Sequence, residues 1–397
     1  MKILAIETSC DETGISILEV KKPASRQGGS GKKDIFKILA NNIHSQVEIH
    51  AQYGGVFPAL AKREHIKNLP ILFEKTIKQA KIKIEQIDAI AVTYGPGLEP
   101  ALWTGIVFAK ELSKKYNIPI VKVNHMEGHI FSIFPKKRKT FTIDSDKKIF
   151  PMLSLLVSGG HTELILVKNW HKYKKIGQTR DDAVGEAFDK VARMLGLPYP
   201  GGPEVSKLAE IEREKIPLSR GGLKSRGGCI PPPPSGTPQE ENLQLPRPMI
   251  YSKDYDFSFS GLKTAVLYLI RDLKKEHSDI LENVGIKQKI AKEFEDAVVE
   301  TLVYKTIKAI KEYKIKTLIV GGGVSANKYL QEIMNKEVKN LNFSSRTTKI
   351  LTKVHFPSKS LTGDNALMIA IAGYFQYKNK KGVKNLNSIK AKGNLSL

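Results

Sequence analysis

Two histidines four residues apart, His125 and His129, stand at the head of the apolar run Ile130-Phe131-Ser132-Ile133-Phe134. On a helix, side chains at i and i+4 share a face, so both imidazoles can reach one metal ion, and imidazole suits zinc or iron. A pair of structural histidines is the competing reading. Metallopeptidases of the H-E-x-x-H type use the same spacing, with the glutamate directly after the first histidine. Here Glu127 comes two residues after it, about 200° round a helix, so it should point away from the metal. That placement argues against activation of a metal-bound water. A third ligand must come from elsewhere, and Asp364 in Thr362-Gly363-Asp364-Asn365-Ala366 offers a carboxylate. Asp364 also stands where an N-cap would, just before an apolar helix. Both roles are compatible only if its oxygens are shared.

Three loops carry further chemistry. Ser158-Gly159-Gly160-His161-Thr162 lies between two strands, and its small residues let backbone amides approach an anion. A plain hairpin turn is the alternative. Gly321-Gly322-Gly323-Val324-Ser325-Ala326-Asn327 runs from a strand towards a helix, a turn suited to phosphate or ribose. It matches neither the Walker A loop nor G-x-G-x-x-G. Thr8-Ser9-Cys10-Asp11-Glu12-Thr13 places two carboxylates in one short loop, able to position a metal, a water or an amine, or simply a solvated acidic turn. Cys10 is a poor nucleophile there, because the two acids after it raise its pKa and no base stands beside it.

The elements around these residues alternate between strand and helix patterns. Residues 2–7 and 14–20 read as strands around the first loop, and 152–157 and 163–167 repeat that strand, small-residue loop, strand unit. The repeat predicts an internal duplication. Helical patterns cover 59–78, 98–114, 182–195, 290–313 and 365–377, with strands at 87–92, 118–123 and 317–320. The expected class is α/β, with two similar lobes around a central cleft, and ligands at the carboxyl ends of strands. The N-terminal lobe should span 1–133 and the C-terminal lobe 134–363, with a helix from 364 packing back on the first lobe and a loosely ordered basic tail to 397. Residues 21–33 read as a flexible Gly/Ser/Lys loop, and 215–245 as a Pro/Gly-rich insertion unable to form a packed core.

Composition sets the class of partner. The 397 residues are 41% hydrophobic and 26% charged, and 64 Lys+Arg against 40 Asp+Glu give a net charge of +24. Such a surplus attracts polyanions, nucleic acid first among them, although the lysines are spread along the chain. Two cysteines, Cys10 and Cys229, make no disulfide framework. The start of the chain lacks the layout of a secretory signal and no apolar run suffices for a membrane span, so a cytoplasmic protein is expected.

Nine motifs in order carry a resemblance. They are ETSCDETG at 7–14, YGGVFPALAKREH at 53–65, GPGL at 95–98, NHMEGH at 124–129 and LLVSGGHTEL at 155–164. The rest are DDAVGEAFDKVARMLGLPYPGGP at 181–203, FSFSGLKTA at 257–265, GGGVSAN at 321–327 and DNALMIA at 364–370. Together they resemble the bacterial branch of the TsaD family, tRNA N6-adenosine threonylcarbamoyltransferases, called Kae or OSGEP outside bacteria. The likeness covers nearly the whole chain apart from the two insertions and the tail; the 215–245 insertion departs from the family pattern close to its site motifs.

The resemblance implies the duplicated fold of actin, Hsp-seventy and hexokinase. It implies transfer of a threonylcarbamoyl group from threonylcarbamoyl-adenylate to N6 of the adenosine beside the anticodon, in tRNAs reading codons that start with A, with release of AMP. By motif, His125, His129 and Asp364 would bind one divalent metal, iron(II) or alternatively zinc. Leu156, Val157, Ser158, Gly159 and Gly160 would hold the adenylate, with Asp189, Gly202 and Asn327 completing the nucleotide site. Asp11 and Glu12 would stand at the reacting centre. TsaB-like and TsaE-like subunits are the implied protein partners, with the 59–78 helix a candidate docking element. A sugar kinase or ATPase on the same fold, an O-sialoglycoprotein endopeptidase and an inactive tRNA scaffold are the competing readings.

Overall fold

The structure is a computed structural model describing residues 1–22, 33–135, 139–143, 149–215, 243–276, 279–344, 351–380, 382–383 and 385–397. Most of the two expected insertions, and Cys229 with them, lies outside the described residues.

In chain order the elements are β1 (Lys2–Glu7), β2 (Glu12–Lys21), β3 (Ile35–Ser45), α1 (Val47–Ala51), α2 (Pro58–Ala80), β4 (Ala89–Gly95), α3 (Glu99–Tyr116), β5 (Ile120–Asn124), α4 (His125–Phe131) and β6 (Thr140–Thr142). The second half has β7 (Met152–Val157), β8 (Thr162–Asn169), β9 (Lys172–Gln178), α5 (Val184–Met194), α6 (Gly201–Glu214), α7 (Ser260–Glu276), α8 (Val284–Tyr313), β10 (Thr317–Gly321), α9 (Lys328–Ser344), β11 (Lys353–His355) and α10 (Ala366–Lys380).

The two sheets repeat one topology. The first runs β5-β4-β1-β2-β3-β6 and the second β11-β10-β7-β8-β9. In each, the first three strands form an antiparallel meander, and two further strands add in parallel beside the first. This is the duplicated, two-lobed, actin-like α/β fold. β6 lies past residue 133 yet extends the first sheet, because Phe141 stacks on Phe36 at a centroid distance of 5.2 Å.

Both faces of the first sheet are covered. Successive side chains of a strand point to opposite faces. Leu4 and Ile6 therefore enter a core with Leu69 and Leu72 of α2 and Ile106 and Ala109 of α3. Ile3 and Ala5 enter another with Ala366 to Ala372 of α10. Gly373 lets α10 lie tight on the sheet, since a Cβ there would sit 2.5 Å from that of Ala91. The second lobe packs around α8, buried along most of its length and capped at Asn283, whose side chain accepts from the amides of Gly285 and Ile286.

α4 sits between the lobes. Its Met126 and Ile130 share a small core with Met152, Leu156 and Ile319 of the second sheet, while α10 packs on its other side. The tail differs from its expected looseness. Ile389 is buried, Val383 N donates to Ile120 O (2.7 Å) and Lys392 N to Tyr94 O (2.8 Å). Its polar composition conceals these backbone pairings with β4 and β5.

Candidate metal centre and nucleotide cleft

Asn124 ends β5 and begins α4 at once. Its Oδ1 accepts from Met126 N (2.8 Å) and Glu127 N (3.3 Å), so strand becomes helix without a loop. All seven residues of α4 are buried. Gly128 permits the close approach of α10, because a Cβ there would stand 2.9 Å from Ile369 Cδ1. That approach brings Asp364, just before α10, onto the face that carries the histidines.

The three ligand candidates form a triangle. His125 Nε2 and His129 Nε2 are 3.1 Å apart, and Asp364 Oδ1 lies 3.3 Å from the first and 3.2 Å from the second. Ligand atoms about 2.1 Å from a metal sit roughly 3.0–3.4 Å from one another in tetrahedral or octahedral shells. The triangle fits one face of such a shell, and two imidazoles with one carboxylate suit iron or zinc. Beyond it, His125 Nδ1 is 3.3 Å from Glu7 Oε2 and 3.1 Å from Ser9 Oγ. Glu7 is itself fixed, accepting from Ser9 N (2.6 Å) and Thr93 Oγ1 (2.5 Å). His129 Nδ1 is buried and has no partner among the described residues.

Charge follows this geometry. Burial works against a proton on His125, but the carboxylates of Asp364 and Glu7 outweigh it and hold the ring well above its usual range. Loss of water works against the charge on Asp364, which is half-buried, but the two rings it faces hold it well below the carboxylate range. His129 is pushed down by burial and by its charged neighbour His125.

Asp364 does not cap α10. Asn365 does, accepting from Met368 N at 3.0 Å, which leaves the Asp364 carboxylate for the histidines. Glu127 faces away from the triangle, as its spacing requires. It accepts from Tyr173 OH (2.6 Å) and Gln376 Nε2 (2.8 Å), with His171 Nδ1 at 3.2 Å. The water-activating carboxylate of a metallopeptidase therefore has no counterpart in Glu127.

The first loop borders the triangle. Burial, then the charges of Asp11 and Asp364, push the Glu12 carboxyl well above its ordinary range. Burial and the same acids raise the Cys10 thiol, so it holds its proton and is no nucleophile. On the other side, the loop after β7 closes on itself through Ser158 N to His161 O (2.8 Å). Leu156 and Val157 are buried beneath it, whereas Gly159 and Gly160 are exposed at its tip. α5 starts directly against this loop, since Gly185 N donates to Ser158 O (3.2 Å). The glycine turn after β10 meets the same strand end: Gly322 has φ +89°, and a Cβ there would sit 2.3 Å from Val157 O. Burial and the charges on His125 and His129 push His161 down to about 4, so it stays neutral.

The remaining expected residues line the second lobe. Asp189 Oδ1 accepts from Gly201 N (2.8 Å), one residue before Gly202 in the first turn of α6. Burial raises the Asp189 carboxyl, and Asp11 across the cleft adds to the effect. Asn327 is committed within the protein: Oδ1 accepts from Leu330 N (2.7 Å), and Nδ2 donates to Ser206 Oγ (2.9 Å) and Glu295 Oε1 (2.6 Å). The structure thus gathers His125, His129 and Asp364 in direct contact with one another and leaves the Asn327 side chain tied to α6 and α8. Sequence reasoning gave Glu7 no role; its only local signal was a carboxylate ending an otherwise apolar strand.

Comparison with known proteins agrees with this geometry. A family model described as TsaD, tRNA N6-adenosine threonylcarbamoyltransferase, matches residues 37–371. A relative of that name from Thermosipho africanus is 43% identical over 397 residues, all of both chains. Another from Dictyoglomus turgidum is 43% identical, covering 97% of this chain and 96% of its own. Among solved structures, full-length HypF in a phosphate- and nucleotide-bound form is similar with a TM-score of 0.50 at 13% identity, over 96% of this chain and 47% of HypF, a likeness of fold alone. On identity over full length and a family match spanning both lobes, the chain belongs to the TsaD family of tRNA N6-adenosine threonylcarbamoyltransferases.

Proposed function

We propose that this transferase moves the threonylcarbamoyl group of threonylcarbamoyl-adenylate to N6 of the adenosine next to the anticodon, in tRNAs reading codons that start with A, and releases AMP. The observation that carries the reading is full-length identity of 43% to a relative so named, in a chain whose His125, His129 and Asp364 close on one triangle. The net charge of +24 supports a polyanionic substrate.

In this reading Leu156, Val157, Ser158, Gly159 and Gly160 cradle the adenylate, and Asp189 and Gly202 flank its nucleotide end from α5 and α6. Asn327 shapes that end by holding α9 against α6 and α8. A divalent metal on His125, His129 and Asp364, iron(II) or alternatively zinc, would supply positive charge and open positions for the adenylate's phosphate oxygens. The N6 amine attacks the carbonyl carbon. The new C–N bond forms as the bond to the phosphate oxygen breaks, and AMP leaves with that electron pair. Glu12 or Asp11, side by side in the first loop, takes or relays the amine proton. Positioning of amine and carbonyl supplies much of the remaining rate.

A TsaB-like subunit is the first protein partner, with α2, where Ile66 and Ile71 are exposed, its candidate docking element. A TsaE-like ATPase is the further partner. No helix among the described residues is long and apolar enough to cross a membrane, and a cytoplasmic location is part of the proposal. The test mixes the protein, with and without the two subunits, with preformed adenylate and unmodified tRNA, and reads nucleosides by mass spectrometry. Threonylcarbamoyladenosine is the expected product. Its absence under every combination, with folded and metal-loaded protein, refutes the reading.

A further inference from the structure

Behind the first loop lies a buried polar chain that the transfer chemistry does not use directly. Gln46, His50, His65 and Thr13 are all fully buried, although none carries a permanent charge. Phe57 N donates to His50 Nδ1 (3.3 Å), and His50 Nε2 meets Gln46 Oε1 (3.1 Å). Gln46 Nε2 meets His65 Nδ1 (3.3 Å) and Ala61 O (3.5 Å), and His65 Nε2 meets Cys10 O (2.9 Å).

The two ends fix the direction of every bond between them. A backbone amide only donates, so His50 Nδ1 accepts and its proton sits on Nε2. Gln46 Oε1 takes that proton's hydrogen bond, which turns its amide nitrogen towards Ala61 O and His65 Nδ1. The single lone pair of His65 Nδ1 is shared between the Thr13 hydroxyl at 2.8 Å and the longer Gln46 contact, so this nitrogen is an acceptor. The ring's own proton is therefore on Nε2, where a carbonyl that can only accept is waiting. Both rings are neutral in one defined tautomer, and burial, which pushes His65 below its usual range, agrees. Unpaired polar groups at such depth are costly, so the chain is an all-or-none arrangement.

Its end point is the loop of the proposed proton acceptors. His65 holds the Cys10 carbonyl, and the main-chain amide of Gln46 donates to the next carbonyl, that of Asp11, at 3.0 Å. We infer that His65 is a positioning residue for the transfer step, fixing the Cys10–Asp11 backbone through a one-directional relay from Phe57 by way of His50 and Gln46. This rests on the reading of Asp11 and Glu12 as residues of the reacting centre. His65 itself touches no ligand candidate; it reaches the site only through the peptide it holds.

The test compares His65→Leu, which removes the contacts to Gln46, Thr13 and Cys10 O, with His65→Gln, whose amide can still donate to Cys10 O and accept from Thr13. With metal content and folding checked for each, His65→Leu should lose about 100-fold in kcat for transfer from preformed adenylate, with little change in KM, as expected for displacement of a positioned group. His65→Gln should restore most of the loss. Nitrogen-15 histidine spectra of the unaltered protein should show His50 and His65 as Nε2–H tautomers. A fully active His65→Leu, a loss explained by missing metal, or an Nδ1–H or doubly protonated His65 would overturn the inference. An unaltered protein with no transfer activity refutes the proposed function instead and leaves the ring tautomers to decide the relay.

Discussion

Glu7 Oε2 lies 3.3 Å from Nδ1 of His125, while Asp364 Oδ1 lies 3.3 Å from Nε2 of the same ring. One imidazole thus bridges two carboxylates, one in the ligand triangle and one behind it. This is the carboxylate–histidine arrangement that fixes a ring's tautomer and orientation at metal centres. Glu7→Gln should weaken metal binding 10–100-fold, the usual effect of removing such a partner. Metal titration against a competing chelator reads it directly. An unchanged dissociation constant would show that Ser9 Oγ alone orients the ring.

Asp364 and Asn365 divide two tasks between neighbouring residues. Asp364→Ala should abolish metal retention while leaving α10 capped. Asn365→Ala should cost about 1 kcal/mol of stability through the lost cap, with metal retained. Metal analysis and urea denaturation on both variants separate the roles, and metal loss from Asn365→Ala alone would contradict the assignment.

Gly322 is required where it stands. Its φ of +89° and the 2.3 Å separation of a built Cβ from Val157 O leave no room for a side chain. Gly322→Ala should destabilise by about 1–3 kcal/mol from backbone strain alone, and the shift it forces on Val157 should raise KM for the adenylate. Denaturation and steady-state kinetics check both effects.

His161 gives acid sensitivity of a definite sign. Its folded pKa of about 4 lies below the ordinary 6.5, so the unfolded chain binds the extra proton in that interval. Stability is complete above pH 6.5 and is lost as pH falls towards 4, at up to about 1.4 kcal/mol per pH unit. In metal-free protein, the urea midpoint should fall more between pH 7 and 4.5 than in His161→Asn. Parallel profiles would show that the ring is not held neutral.

Much of this site is local in sequence, and those parts were legible. The histidine pair and the outward Glu127 follow from helical spacing within five residues. The duplicated strand–loop–strand units follow from alternation. Asp364 was legible as a carboxylate candidate, but spacing left its role open between ligand and cap; the structure gives the cap to Asn365. Glu7, Gln46, His50 and His65 escaped, since contacts between residues 7 and 125, or 10 and 65, exist only after α2 and α4 pack on the sheet. The ordered tail escaped for a related reason: its contacts use backbone groups, to which composition is blind.

The most direct test of metal-dependent transfer is a single-turnover assay on metal-stripped protein, reloaded with iron(II) or zinc, beside the His125→Ala, His129→Ala double variant. Metal-dependent transfer requires no modified adenosine from stripped protein, recovery on reloading, and none from the folded double variant under any loading. Full transfer by the stripped protein or by the double variant would contradict it.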